Sequence, residues 1–415
     1  MLGAGRIVIL GAGHGGGTVA ALLRQLGFAG DISLIGEEPI APYQRPPLSK
    51  AWLKGEVDAE ALALRPESFY GEHRIDLRLN TRVTAIDREA TVDGAAGAVV
   101  LEGGEAVAYT RLIIATGARA RRLSLPGLGL EGVLELRTAA DANALKAVLS
   151  PGKRLAVIGG GYVGLEAAAS ARALGVDVTV IEMQPRVLAR VACEALSEFI
   201  QDYHRRQGVV FELAGSVVRL KGENGQVSGV RLTDGRVLAC DAALVGVGAV
   251  SNEELAASAG LVCDNGIVVD GAARTSDPAV YAIGDCTRRP LPLYERMWRL
   301  ESVPNALEQA KQAAADICGT KPPAPETPWF WSDQYDLKLQ IAGLPFDVVQ
   351  TIIRGHPSTA RFAVFHLNAH NQVQAVEAVN APPEFMAGRQ LIGSRKSVAL
   401  DKLRDMSVSM KEVAA

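Results

Sequence analysis

Two short glycine runs have the spacing of phosphate cradles. The first is Gly11-Ala12-Gly13-His14-Gly15-Gly16, and the second is Gly159-Gly160-Gly161-Tyr162-Val163-Gly164. In a G-x-G-x-x-G run the first glycine permits a tight turn, and the second lets the backbone approach a pyrophosphate. The third lets the following helix pack closely on its strand. The start of that helix then offers unpaired N–H groups and the positive end of its dipole to the anion. One such pattern arises easily by chance in a chain with 43 glycines; two, each with a carboxylate after the next strand, are a much stronger signal. Glu37 and Glu182 are those carboxylates. An acid there accepts hydrogen bonds from both ribose hydroxyls of an adenosine and repels a 2′-phosphate. Glu182 therefore favours NADH over NADPH. Arg186 and Arg190 follow it closely and have two readings, a phosphate contact or a solvated helix face. Two cradles require two dinucleotides, one a tightly held flavin (FAD) and the other a diffusing nicotinamide.

The elements that must position these residues are legible as two βαβ units. In the first, Arg6–Leu10 reads as a buried strand, residues 18–26 continue at helical spacing, and Asp31–Ile35 is a second strand. In the second, Arg154–Ile158 leads into the glycines, residues 165–174 are helical, and residues 177–181 form the next strand. This order favours parallel sheets. Residues 111–115, 241–248 and 279–284 read as further buried strands. Two loop motifs add to the flavin case: Ala115-Thr116-Gly117 closes a strand where the chain would leave the first nucleotide domain, and Gly284-Asp285 follows another. Asp285 can accept a hydrogen bond from a ribityl hydroxyl. Residues 320–327, rich in proline, read as a linker. Short alternating strands after it (Leu337–Gly343, residues 348–354 and 362–366) point to a separate α+β domain.

Composition sets bounds rather than a function. The 415 residues are 48% hydrophobic and 21% charged, with a formal net charge of −3. No surplus of Lys and Arg exists to neutralise phosphates along a nucleic acid, so none is expected as a partner. The five cysteines (Cys193, Cys240, Cys263, Cys286 and Cys318) are scattered, which predicts neither a disulfide framework nor a metal site and suits a reducing compartment. No apolar run reaches the roughly 20 residues of a membrane span, and the first strand starts too early for a signal peptide. The expected location is cytoplasmic, with no membrane partner.

With these elements assembled, the chain resembles the FAD-dependent NADH:ferredoxin reductases of bacterial cytochrome P450 and dioxygenase systems (the putidaredoxin reductase and rhodocoxin reductase type). The resemblance covers essentially the whole chain. Beyond the glycine runs it rests on Arg45-Pro-Pro-Leu-Ser-Lys50, on Arg299-Leu-Glu-Ser-Val303-Pro-Asn-Ala-Leu-Glu-Gln-Ala-Lys311 and on Trp329-Phe-Trp331-Ser-Asp-Gln334. It implies an α/β, glutathione-reductase-like fold with two Rossmann-type dinucleotide-binding domains and a C-terminal α+β domain. The implied FAD domain is discontinuous (residues 1–117 and 246–325), the NAD domain spans residues 118–245, and the last domain residues 326–415. The implied FAD contacts are Gly11, Gly13, Gly15, Gly16, Glu37, Lys50, Val83, Ala115, Thr116, Gly117, Arg137, Asp285 and Val303, with Trp331 beside the ring system. The implied NAD contacts are Gly159, Gly161, Gly164, Glu166, Glu182 and Gly248. Lys50 and Glu166, as an ion pair near the flavin atom that receives hydride, are the expected catalytic residues. A cation there would stabilise negative charge as it develops.

The resemblance implies electron transfer from NADH through FAD to a transiently bound [2Fe-2S] ferredoxin, which in turn serves a cytochrome P450 or another oxygenase. Arg296, Arg299 and Lys311 are candidates for steering that partner. Other readings of the same fold are a rubredoxin reductase or an NADH oxidase. A disulfide- or peroxide-reducing enzyme would place a redox cysteine near the first cradle, where this chain has Pro47-Leu48-Ser49-Lys50. A flavoprotein resembling apoptosis-inducing factor is the reading from another class, and the slight acidity of the chain argues against it.

Overall fold

The computed structural model describes residues 5–90 and 94–414. By compactness the chain falls into two units, one of residues 1–44, 59–119 and 250–328, the other of residues 45–58, 120–249 and 329–415. The three-way division expected from the motifs is a division by nucleotide; the compact units cut the chain differently, and the side-chain cores say why.

In the first unit five parallel strands form one sheet, in the order Val280–Ala282, Arg111–Ile114, Arg6–Leu10, Asp31–Ile35 and Ile75–Arg78. Successive residues of a strand point to opposite faces. Accordingly Ile7 and Ile9 enter one apolar cluster, with Val19 and Leu23 of the helix His14–Gln25 and Ala310 and Ala313 of the helix Val303–Ile317. Val8 and Leu10 enter another, with Val99, Tyr109 and Ile267. Burial on both faces explains why these strands read as continuous apolar runs.

The second unit repeats the plan, with parallel strands in the order Val210–Leu213, Asp177–Glu182, Arg154–Ile158, Ala242–Val245 and Val133–Leu134. It also contains a five-stranded antiparallel sheet, ordered Trp329–Gln334, Leu337–Gly343, Val373–Val379, Arg361–Leu367 and Gln350–His356. The two sheets share one core. Leu155, Val157, Leu165 and Leu196 cluster with Leu337, Leu339, Phe362 and Val379, and Leu53 joins them. Shared burial is why the compact second unit takes in the C-terminal sheet and residues 45–58 together. Both glycine-run helices start earlier than their apolar periodicity suggests, at His14 and Tyr162. Glycines disfavour helix intrinsically, and packing overrides that here. The strand Val373–Val379 and the helix Pro382–Ser394 were not foreseen. Among the described residues no helix is long and apolar enough to cross a membrane.

One polar chain runs through the second unit's core. His204, on the helix Glu194–Arg206, is fully buried, and its Nε2 lies 2.7 Å from Gln334 Oε1. Burial pushes the imidazole down from its ordinary value of 6.5 to about 4. A lowered folded-state value means that the unfolded chain takes the proton first. The neutral side chain therefore contributes its full stability above pH 6.5 and loses it as pH falls towards 4. The drop should approach about 3 kcal/mol. Urea midpoints of the protein between pH 7 and 4 should fall more steeply than those of His204→Gln; equal slopes would show that His204 does not titrate with unfolding.

Candidate functional site

Parallel strands release all their C-terminal ends at one edge, and that edge is where a doubly wound sheet binds its ligand. In the first unit the register sets Leu10 beside Ile35 and Ile114, and Ile114 beside Ala282. The segments that follow therefore emerge together: the glycine run, Glu37, Ala115-Thr116-Gly117 and Gly284-Asp285. In the second unit Ile158 pairs with Ile181 and with Val245. This brings the second glycine run, Glu182 and Gly248 to one edge.

The glycine runs have the shapes that a pyrophosphate needs. Gly11 has φ +107°, and a Cβ there would lie 2.3 Å from the Ala115 carbonyl oxygen. Gly159 has φ +111°, and its Cβ would lie 2.4 Å from the Gly246 carbonyl oxygen. A Cβ on Gly16 would lie 1.9 Å from the Gly11 carbonyl oxygen, and one on Gly164 2.6 Å from that of Gly159. Only glycine lets these helices start against their turns. The middle glycines face open space instead, since a Cβ on Gly13 or Gly161 would meet nothing within 4 Å. Both are N-caps without a side-chain acceptor, and neither helix carries an acid in its first turn. Two other helices carry side-chain caps, a full capping box from Thr138 on Ala139–Val148 and Ser302 on Val303–Ile317, whereas Glu194–Arg206 and Pro382–Ser394 start without one. A helix start capped by glycine alone, facing open space, is the kind of end that receives an anion. The residues present therefore fit two dinucleotide phosphates.

The acids differ in what holds them. Glu182 ends its strand, and its carboxylate accepts from Gly160 N–H at 2.7 Å and Gln184 N–H at 2.8 Å. It is thus tied to the second glycine turn, with lone pairs left for a ribose diol. Arg186 donates to the carbonyl oxygens of Ala192 (3.0 Å) and Ala189 (3.2 Å); these internal bonds favour a structural role over a phosphate contact. Arg190 reaches towards Gly248, with Nη2 3.7 Å from where a Cβ would sit. In the first unit Glu37 is exposed and 3.5 Å from Arg82, the residue that precedes Val83 at the head of the strand Val83–Asp87. Thr116 is bound both ways to Asn252, through Thr116 Oγ1 to the Asn252 carbonyl and Asn252 Nδ2 to the Thr116 carbonyl, each at 2.8 Å. Gly15 packs near Ile283 and Ala306, so the first turn abuts the loop holding Asp285 and the helix that Val303 begins.

Lys50, Arg137 and Trp331 belong to the second unit. Arg137 gives its carbonyl to Arg45 Nη1 at 2.7 Å and its N–H to Asp141 at 3.1 Å. The Trp331 ring lies 5.6 Å from that of Trp329. Lys50 and Glu166 form the expected ion pair, at 2.6 Å. Glu166 is 5% exposed and also accepts from Ser49 Oγ (2.5 Å) and Ser332 Oγ (2.6 Å). Ser170 Oγ in turn donates to the Ser49 carbonyl at 2.7 Å. Sequence reasoning missed the roles of Ser49, Ser332 and Asn252. The first two sit inside the quoted motif strings, and nothing in the sequence marks the third.

All five thiols are raised above their ordinary values, with burial the first cause. Cys193 is pushed up to about 12, and Cys240 and Cys286 to about 11. None is poised as a thiolate nucleophile. Of the basic residues considered for a partner surface, Lys311 is 3.4 Å from Glu326 and Arg299 is only 15% exposed beside Glu301.

Residues 5–310 match the pyridine nucleotide-disulphide oxidoreductase family, and residues 329–414 match the reductase C-terminal family. A probable ferredoxin reductase of Castellaniella defragrans is 51% identical over 99% of this chain and 98% of its own. Rhodocoxin reductase of Rhodococcus erythropolis is 42% identical, covering 98% of this chain and 93% of its own. A crystal structure of the covalent putidaredoxin reductase–putidaredoxin complex superposes with a TM-score of 0.94 at 41% identity, over 98% of this chain and 97% of that one. Twin glycine cradles and end-to-end likeness agree: the chain belongs to the pyridine nucleotide-disulphide oxidoreductase family.

Proposed function

We propose that this protein is an FAD-dependent ferredoxin reductase, taking electrons from NADH and delivering them to a [2Fe-2S] ferredoxin that serves a cytochrome P450 or another oxygenase. One observation carries the reading: a single chain holds two uncapped glycine cradles, each with a carboxylate at the same sheet edge. Relatives named as ferredoxin reductases and a neighbour solved joined to its putidaredoxin support the acceptor class. Five free thiols, all raised by burial, are consistent with a cytoplasmic location.

FAD, when bound, would supply the redox centre between a two-electron donor and a one-electron acceptor. The protein's own part is binding, orientation and charge. Gly11, Gly13, Gly15 and Gly16 hold one pyrophosphate, Gly159, Gly161 and Gly164 the other, and Glu37 and Glu182 take the ribose hydroxyls. Asp285, Val303, Val83 and Arg137 complete the FAD contacts. Lys50 supplies positive charge where hydride arrives, and Glu166 keeps it from swinging away. No thiol stands in the Arg45–Asp58 segment, so reducing equivalents pass outward rather than into a disulfide. Rubredoxin reductases are also among the relatives, 42% and 40% identical over 91% of this chain. The deciding assay is NADH-driven reduction of cytochrome c with and without added [2Fe-2S] ferredoxin or rubredoxin. Stimulation by ferredoxin is expected; stimulation by rubredoxin alone would overturn the acceptor assignment.

Two variants test the residue roles. Glu182→Gln should weaken NADH binding by about 2 kcal/mol, roughly 30-fold, while leaving NADPH little changed, because the charged acceptor of the ribose hydroxyls is gone. Wild-type NADH affinity in a folded variant would remove Glu182 from nucleotide choice. Lys50→Ala should keep bound flavin but be bleached by NADH about a hundredfold more slowly in stopped flow. Bleaching at the wild-type rate would exclude Lys50 from hydride transfer.

A further inference from the structure

A second cluster of chemically able side chains lies inside the second unit, and the nucleotide chemistry uses none of them. Cys193 precedes the helix Glu194–Arg206 as its N-cap. Its N–H donates to both carboxylate oxygens of Glu377, at 3.0 and 3.3 Å. Glu377 is 4% exposed and sits on the strand Val373–Val379. On the adjacent strand the register sets Val364 opposite Glu377 and Ala375 opposite His366, so His366 and Glu377 are diagonal neighbours on one face. His366 Nε2 lies 3.7 Å from Glu377 Oε2, too far for a hydrogen bond. Its imidazole is 4% exposed, and Nε2 has no partner among the described residues. The buried Tyr162 hydroxyl is also unpartnered, and the ionisable groups that act on it are led by Glu377 and Cys193. One ligand atom from each of Cys193, His366 and Glu377 lies within 4.8 Å of the other two.

An enclosed carboxylate facing an orphan imidazole nitrogen is expensive unless something bridges them. A water could join two of these groups. The sulfur suits a metal better. A thiolate, an imidazole and a carboxylate are the mixed S, N, O donor set of zinc-class ions, whereas calcium and magnesium take oxygen alone. Tetrahedral coordination puts ligand atoms roughly 3.5 Å apart, which small side-chain rotations reach from the present spacing. We propose that Cys193, His366 and Glu377 bind one divalent cation of the zinc class, with a fourth position open. On binding, the Cys193 thiol gives its proton to solvent and a metal–sulfur bond forms. The thiolate and carboxylate then balance the two positive charges, so the buried site is neutral overall. The cation ties the N-terminus of the helix Glu194–Arg206 to two strands of the antiparallel sheet. It is a structural clamp with no redox part.

The test uses the flavin-loaded full chain, stripped with chelator and titrated with zinc chloride against a chromophoric competitor. One equivalent is expected to bind, and Cys193→Ala should weaken that binding roughly a hundredfold. Cys193 is half-buried and the alanine change is small, so the variant should fold. A second measurement needs no variant: alkylation of Cys193, followed by peptide mass spectrometry, should be slowed by one equivalent of zinc. Unprotected Cys193, or equal zinc binding by wild type and Cys193→Ala, would overturn the site.

Discussion

A single buried carboxylate holds the second unit's three parts together. Glu166 comes from the helix Tyr162–Ala173, Lys50 and Ser49 from the segment 45–58, and Ser332 from the antiparallel sheet. All three partners converge on one carboxyl group that is 5% exposed. A charge so enclosed tolerates no missing partner: breaking a buried pair typically costs about 3–5 kcal/mol, because the survivor is left uncompensated. The same arithmetic makes the arrangement specific rather than merely stable. Replacing such a cluster by apolar groups often leaves a fold as stable, so stability alone does not account for a charge at that position. The network fixes Lys50 far more firmly than a surface lysine, and a fixed charge needs no reorganisation when a reaction develops the opposite one.

The helix starts show a second economy. A side-chain cap is worth about 1 kcal/mol, and this chain uses one at Thr138 and at Ser302. At Gly13 and Gly161 it uses none. Cys193 and Ala381 also start helices without one; what sets the glycine starts apart is the open space at Gly13 and Gly161, where an anionic ligand would serve as the acceptor and couple its binding to the stability of both sheet edges. Glu182 belongs to the same logic. By accepting Gly160 N–H it prearranges the turn, so the ribose proposed to bind there would meet an acceptor already in place.

How much of this was legible in the sequence depended on range. The glycine turns, their strands and the acids after them are local patterns, and they stood where the spacing put them. The helix starts were read late, because glycines conceal a helix that only packing enforces. The C-terminal segment read as a separate domain because its strands alternate. What joins it to the rest is side chains such as Phe362 and Leu339, which cluster with Leu196 and Leu165, and no periodicity records a partner that distant. Thr116 and Asn252 are 136 residues apart, and Ser332 and Glu166 are 166 apart. Cys193, His366 and Glu377 are scattered likewise, which is why cysteine spacing suggested no metal. Spacing rules detect sites on one turn or one strand; a site assembled across a sheet escapes them.

The state of the thiols bears on the kind of acceptor. An enzyme that stores an electron pair as a dithiol needs a cysteine with an accessible thiolate. Here burial works the other way at every cysteine, including Cys286, which follows Asp285 directly and is pushed up to about 11. A thiol held so far up is almost wholly protonated at neutral pH, which makes it a poor partner for disulfide exchange. A bound flavin would then be the store for electrons from NADH, because no described thiol is poised to take them. The acceptor must come to the flavin, and one that takes electrons singly can be a protein docked only briefly. The proposed ferredoxin meets that requirement, and a small disulfide substrate does not.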